Sequence, residues 1–389
     1  MLIRRLELTD MRSYERLTLD LDRGVSVLVG PNGQGKTNLI EAVYRVASGT
    51  SHRVAGDGPL VKSGAERAVI RTIIETDGVR RRTVEIEFGS GVRTRIRVDG
   101  QDVRRSVDAH GILRTVLFAP EDLALVRGDP ADRRRFLDEV LGQRRPAYAV
   151  ARAEFDRVLR QRNQMLKQMR TLSNSAQTTA RDTLATWTGQ LVHHAAQLTA
   201  ARIAAIRTLA GPVEDHYQQL ADCDESVGVE YVMSADGYAA LDSGPLVPDP
   251  APIAATLRSA LNALANKEIE RGLTLVGPHR DDVNLTIDGL PARTHASQGE
   301  AWSLALALKL GTYDLLAEVG DRPILLLDDV FAELDERRRA RLSQVCHDYD
   351  QVLVTAAVDA DVPLEGRRYD VVRTDRHTVV TAREGDGGE

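Results

Sequence analysis

The chain has 389 residues, 42% hydrophobic and 28% charged, enough for two or three lobes around a large core. A formal net charge of −6 excludes a globally basic nucleic-acid binder but not a local basic groove, and 4% aromatics argue against a base-stacking surface. Cys223 and Cys346 are the only cysteines and form no C-x-x-C, so neither a disulfide framework nor a zinc site is expected. The N-terminus opens as an alternating strand and not as a signal peptide. No run of about 20 apolar residues offers a membrane span, so a cytoplasmic protein without membrane contact is expected.

Alternating strands are predicted over 2–8 and 17–21, separated by the polar turn Met11-Arg12-Ser13-Tyr14, with an apolar strand over 25–29. Next come Gly30, Pro31, Asn32, Gly33, Gln34, Gly35, Lys36 and Thr37, then apolar residues at 39, 40, 43 and 46 in helical spacing. Strand, G-x-x-x-x-G-K-T and helix N-terminus together form a phosphate-binding loop. Glycines let the backbone N–H groups turn inward, and the helix end adds partial positive charge. Lys36 would neutralise β- and γ-phosphate oxygens of a bound triphosphate, and the Thr37 hydroxyl would ligate Mg²⁺.

Segments 68–75, 82–88 and 92–98 alternate and are joined by Asp77-Gly78 and Gly89-Ser90-Gly91, which predicts an antiparallel β layer. A strand over 116–123 ends at a proline-marked turn. From 133 to 172 the period becomes helical. It restarts at Leu184 after a loop at 173–178, giving an antiparallel helical hairpin with arms of about 25 residues, some 40 Å long. Helices follow over 211–224 and 251–271, separated by a Pro/Gly/Asp-rich loop at 242–252. Strands are predicted over 273–276 and 283–287, a helix over 299–317, the strongest apolar strand over 324–327, further strands at 352–355 and within 371–380, and a flexible tail over 384–389. The domain boundaries expected are 1–132 for the N-terminal part of an ATPase domain, 133–271 for an inserted helical lid, and 272–389 for the C-terminal part.

Two carboxylates, Asp328 and Asp329, close the aliphatic strand. Paired acids at a buried strand end repel each other unless a cation relieves them. Asp328 would hold Mg²⁺ opposite Thr37, and Asp329 would orient or deprotonate the attacking water. The plain alternative is a polar cap on a strand. Ser297, Gln298, Gly299 and Glu300 open an apolar helix. They fit a simple capping box and equally an anion site, because the two share the same physics.

The order of these motifs, continued by Ala332-Glu333-Leu334-Asp335, resembles the ABC-type ATPase head: an α/β fold with a P-loop mixed sheet and an antiparallel β layer. The resemblance implies that Ser297–Glu300 and the D-loop Asp335 of one copy complete the nucleotide site of a second, in an ATP-dependent homodimer. The spacing between Lys36 and Ser297 with only a short helical insertion, and the stretches Ser51-His52-Arg53, FAPEDL at 118–123, RRRFLDE at 133–139, GPHRDD at 277–282, ASQGE at 296–300 and LLLDDVFAELD at 325–335, resemble the RecF family of DNA repair proteins. That family implies a weak, DNA-stimulated ATPase that binds single-strand/double-strand junctions and, with RecO and RecR, helps load RecA on gapped DNA and supports SOS induction. By analogy, Arg12 would reach the nucleotide.

Three departures stand out. Asp329 replaces the Glu of many ABC ATPases, Thr355-Ala356-Ala357 stand where a switch histidine is expected, and Ala301-Trp302 follow the serine motif. Arg80, Arg81, Arg82, Arg93, Arg95 and Arg97, extended by Arg104, Arg105 and Arg133 to Arg135, suggest a DNA phosphate-tracking face, because the row shows no interleaved acids; a solvated polar face is the alternative. His279 to Asp282 read as a structural turn, and His193-His194 as packing. Other readings are a membrane-transporter ATPase subunit, which would carry a short insertion and no DNA face, and a small-molecule P-loop kinase, which would need no serine motif.

Overall fold

A computed structural model describes residues 1–103, 109, 111–172, 174–235, 246–374 and 377–383, except the side chains of 174–179. Arg104, Arg105, part of the 242–252 loop and the 384–389 tail lie outside the described residues. The chain divides into two compact units, one of residues 1–123, 215–224 and 297–389, the other of 124–214 and 225–296.

The first unit holds two sheets. One is antiparallel, in the order β2 (Tyr14–Asp20), β1 (Leu2–Met11), β4 (Arg67–Thr76), β5 (Arg80–Gly89), β6 (Val92–Val98) and β7 (Gln101–Asp102). The other runs β15 (Thr378–Ala382), β14 (Arg367–Arg373), β3 (Gly24–Val29), β13 (Gln351–Ala356), β12 (Ile324–Asp328) and β8 (Thr115–Phe118), all parallel except β15. Strands β12 and β13 are buried at every residue, as continuous aliphatic runs in a parallel sheet should be. Helix α1 (Lys36–Ser48) packs Leu39, Ile40, Val43 and Val46 into a core shared with Ile3, Leu6, Ile70 and Phe88. The buried Gln351 bonds the Ile3 N–H and the carbonyls of Ile3 and Asp22, pinning the two sheets together. The first unit also contains α9 (Gln298–Ala317), buried around most of its circumference, and α10 (Glu336–His347).

The second unit contains α2 (Ala124–Arg127), α3 (Pro130–Arg144), α4 (Pro146–Met169), α6 (Pro250–Ala263), α7 (Ala265–Arg271) and α8 (Ala292–His295), with a small antiparallel sheet in which β10 (Asp282–Ile287) lies between β9 (Val227–Val232) and β11 (Leu290–Pro291). Helix α5 spans Asn174–Ala221.

The structure corrects three local expectations. The loop at 173–178 is already helical from Asn174, and the helix expected at 211–224 is the continuation of α5 through Pro212, so the second arm is 48 residues long. Residues 273–276 form no strand: the Thr274 N–H donates to Asn163 Oδ1 at 2.8 Å and the Leu275 N–H to Glu268 Oε1 at 2.8 Å, so side chains take the bonds a ladder would have used. Among the described residues, no helix is long and apolar enough to cross a membrane.

Candidate functional site

The site lies at the C-terminal edge of the parallel sheet, where β3 and β12 flank β13. Gly24 to Val29 pair in register with Gln351 to Ala356, and Leu325 to Asp328 with Val352 to Thr355. The loop leaving β3 and the acids leaving β12 are therefore brought side by side, as ligand sites in open α/β sheets usually are.

The loop's shape has local causes. Gly35, the N-cap of α1, sits at φ 108° and Gly33 at φ 81°, a region costly for side chains. At Gly30 the backbone conformation is ordinary, but a Cβ would lie 2.3 Å from the Val371 carbonyl oxygen. The Tyr14 hydroxyl donates to the Gly35 carbonyl at 3.0 Å, and Thr378 Oγ1 to the Gln34 carbonyl at 2.9 Å. Lys36, only 3% exposed, donates from Nζ to the carbonyls of Gly30 at 2.7 Å and Pro31 at 3.2 Å, so its ammonium is folded back over the loop it would share with a phosphate.

Asp328 faces α1. Its Oδ1 accepts from Thr37 Oγ1 at 3.0 Å and from Thr355 Oγ1 at 2.6 Å. Burial, reinforced by the neighbouring charge of Asp329, raises its carboxyl to about 6 despite the two hydroxyl bonds. Thr355 in turn accepts from the Asp329 N–H at 2.8 Å. Asp329 adopts φ 52°, a left-handed conformation that Asp tolerates better than most residues, and its Oδ1 is buried without a hydrogen-bond partner. Among the described residues, no group of three or more His, Cys, Asp or Glu is arranged to hold a metal by itself. One carboxylate and one hydroxyl beside a phosphate loop suit Mg²⁺, which takes its remaining ligands from phosphates and water.

Thr355 is the residue that sequence reasoning missed. It stands at the point where the absent histidine was sought, and the in-register pairing of β12 and β13 is what brings it to Asp328. Trp302 proves to be a core residue, 4% exposed and edge-on to Phe118 at 5.5 Å.

Arg12 is engaged elsewhere in the same unit. Its guanidinium forks onto the fully buried Glu41 of α1 with two bonds of 2.9 Å and donates to the Pro59 carbonyl at 2.9 Å. Burial would lift Glu41, but Arg12 and Ser51 outweigh it and hold the carboxyl low.

Ser297 caps α9: its Oγ accepts from the Glu300 N–H at 3.3 Å, while Glu300 Oε2 accepts from the Ser297 N–H at 2.6 Å. Ser297 and Gln298 are exposed. Asp335 caps α10 through a 2.9 Å bond from the Arg338 N–H.

The basic β layer is not the acid-free row expected. Arg97 sits opposite Glu85, and Arg95 opposite Glu87. Arg97 pairs with Glu85 at 2.6 Å and Asp102 at 3.2 Å, Arg95 approaches Asp102 at 3.8 Å, and Arg82 pairs with Asp99 at 2.7 Å. Arg81 lies 3.9 Å from Glu75, while Arg80 and Arg93 are exposed. The acids come from the neighbouring strand and turns, so part of the row's charge is paired within the sheet. In the second unit, Arg133 is 6% exposed and forks onto Asp282 at 2.8 and 3.0 Å, and Arg134 bonds the Asp281 carbonyl at 2.7 Å.

The chain matches the family model described as RecF/RecN/SMC N terminal domain over residues 2–378. A DNA replication and repair protein RecF from Frankia alni is 50% identical over 366 residues, covering 94% of this chain and 96% of that protein. One of the same name from Acidothermus cellulolyticus is 47% identical over 378 residues, covering 97% and 99%. Among solved structures, the recombination mediator protein RecF-ATPrS of the RecFOR pathway superposes with a TM-score of 0.86 at 24% identity over 98% of each chain. An Smc head domain from Pyrococcus furiosus, bound to the C-terminal domain of ScpA, superposes at 0.54 with 14% identity, over 98% of this chain and 96% of that one. The shared fold is the ABC-type ATPase head.

Proposed function

Because the chain belongs to the RecF family, we propose that it is an ATP-driven DNA-binding switch of recombinational repair and replication. ATP would join two copies, and slow, DNA-stimulated hydrolysis would release them. The observation that carries this reading is the cluster of Lys36, Thr37, Asp328 and Thr355 at the C-terminal edge of β3, β12 and β13.

The N–H groups of Gly33 to Thr37 would cradle the β-phosphate, and Lys36 would turn from the carbonyls of Gly30 and Pro31 to phosphate oxygens. Thr37 and Asp328 would hold Mg²⁺, which when bound supplies charge neutralisation across the phosphates. Asp329, with its unpartnered Oδ1, would orient the attacking water; its side chain is one methylene shorter than Glu, which suits slow turnover. Ser297 to Glu300 and Asp335 would close over the γ-phosphate held by the second copy, so one chain alone is an incomplete enzyme.

The relatives' name, DNA replication and repair protein, supports a role for this switch on DNA. Gapped or junction DNA, RecR and RecO as partners, RecA loading and SOS support in the cytoplasm are the corresponding roles proposed for this chain. The near-full-length match to RecF proteins does not favour a transporter subunit. Light scattering with ATP tests the reading: wild type is expected to double in mass, while Ser297→Arg binds ATP as a monomer and stays monomeric. Persisting Ser297→Arg dimers would overturn the two-chain site.

A further inference from the structure

Gly299 has an ordinary helical backbone, so no positive φ requires glycine there. The space a Cβ would enter is instead filled by Arg338. Its Nη2, Nη1 and Cζ lie 2.9, 3.0 and 3.1 Å from that point, so a Cβ there would push the guanidinium out of its present place. The guanidinium is fixed from two further sides. Its Nε donates to Oγ of the buried Ser303 on α9 at 3.0 Å, and its Nη1 bonds Asp335, whose other oxygen accepts the Arg338 N–H. Capping α10 needs only the Asp335 carboxylate. The reach across to Ser303 and Gly299 therefore calls for a separate explanation.

We propose that Arg338 is a positioning residue of the composite site. It locks the first turn of α9 to the N-cap of α10, so that Ser297 to Glu300 and Asp335 meet a second copy as one rigid surface, and its charge stands beside the open N–H groups of α9. Gly299 is glycine to admit this guanidinium. The inference rests on the two-chain reading above and assigns a coupling that reading does not contain.

The experiment measures ATP-dependent dimerisation of the full chain by sedimentation, with binding of a fluorescent ATP analogue to dilute monomer as a second readout. Arg338→Ala is expected to weaken dimerisation roughly tenfold or more while cis nucleotide affinity stays within about twofold, the size of an ordinary coupling loss. Arg338→Lys should recover only part, because an ammonium cannot span Ser303 and Asp335 as a planar fork does. Gly299→Ala should weaken dimerisation in the wild-type background but add little to Arg338→Ala, where the clash is gone. Arg338→Ala dimers as tight as wild type, or a full additional loss from Gly299→Ala in that background, would overturn the inference and leave the two-chain reading standing. A wild-type chain that never dimerises with ATP would overturn both.

Discussion

Each unit buries a carboxylate centre, and the two are built on opposite terms. In the second unit, Asp138 accepts from Arg152 and Arg202 at 2.7 Å each and from the Tyr148 hydroxyl at 2.8 Å. Asp281, linked to it through Arg202 and Tyr231, accepts from the Tyr231 hydroxyl, the Ser234 N–H and the Ser234 hydroxyl at 2.7 to 2.8 Å. Burial works against the Asp138 charge, but Arg202 and Arg152 outweigh it and hold the carboxyl below its ordinary range. In the first unit, Asp328 receives only two threonine hydroxyls, has Asp329 beside it, and is lifted to about 6. Among the described residues, no lysine or arginine bonds it. A carboxylate that the chain neutralises itself is architecture; one left with hydroxyls and a like charge is prepared for a cation from outside.

The sharpest break of this comparison removes the cation from the completed centre. Arg202→Met leaves the partly buried Asp138 with half its compensation, and the loss should be about 3 kcal/mol in urea unfolding of the full chain. A loss under about 1 kcal/mol would mean that the network does not hold the second unit together.

Asp328→Asn should move stability the other way. The folded-state carboxyl lies above its unfolded value of 3.8, so folding favours the protonated form. The penalty is absent below about pH 4, grows as pH rises through about 6 and is complete above it. At about 1.4 kcal/mol per pKa unit, the variant should gain about 2–3 kcal/mol over wild type at pH 8 without nucleotide, and nothing at pH 4. It should also lose Mg²⁺-dependent ATP binding. A pH-independent difference would refute the raised carboxyl. Thr355→Val is smaller: it strips Asp328 of one donor and the Asp329 N–H of its acceptor, for about 1–3 kcal/mol by thermal melting, with slowed ATP turnover.

The completeness of each centre differs from its legibility in sequence. The phosphate loop was readable because glycine spacing, a preceding apolar strand and a following helical period are all local signals, and the acids of β12 because aliphatic runs seldom end in two carboxylates. Thr355 was not, since its partnership with Asp328 exists only through parallel pairing of strands far apart in sequence. The pairing of Arg12 with Glu41 was equally hidden, its partner lying in α1. β9 went unseen, and 273–276 looked like a strand although Asn163 and Glu268 take its backbone bonds. The separate helix expected over 211–224 is instead a run of α5 through Pro212, with the fully buried Leu209 and Val213 beside the proline.

The basic row is where register, invisible in a single strand, removes the premise of an acid-free face. Counted along β6, Arg93, Arg95 and Arg97 share one face with no acid between them. Across the ladder, Glu87 and Glu85 stand directly opposite the last two. Cross-strand pairs of this kind contribute roughly 0.2–1 kcal/mol, and the Glu85 pair leaves Arg97 less charge to offer a polyanion. Arg97→Ala should therefore cost under about 1 kcal/mol in stability. In a salt titration of binding to gapped DNA, it should leave the slope of log affinity against log salt unchanged. A residue that contacts a phosphate would lower that slope by about one and weaken binding to every sequence alike. A slope reduced by about one would return the β5–β6 face to the DNA surface and show that Arg97 abandons Glu85 for the backbone.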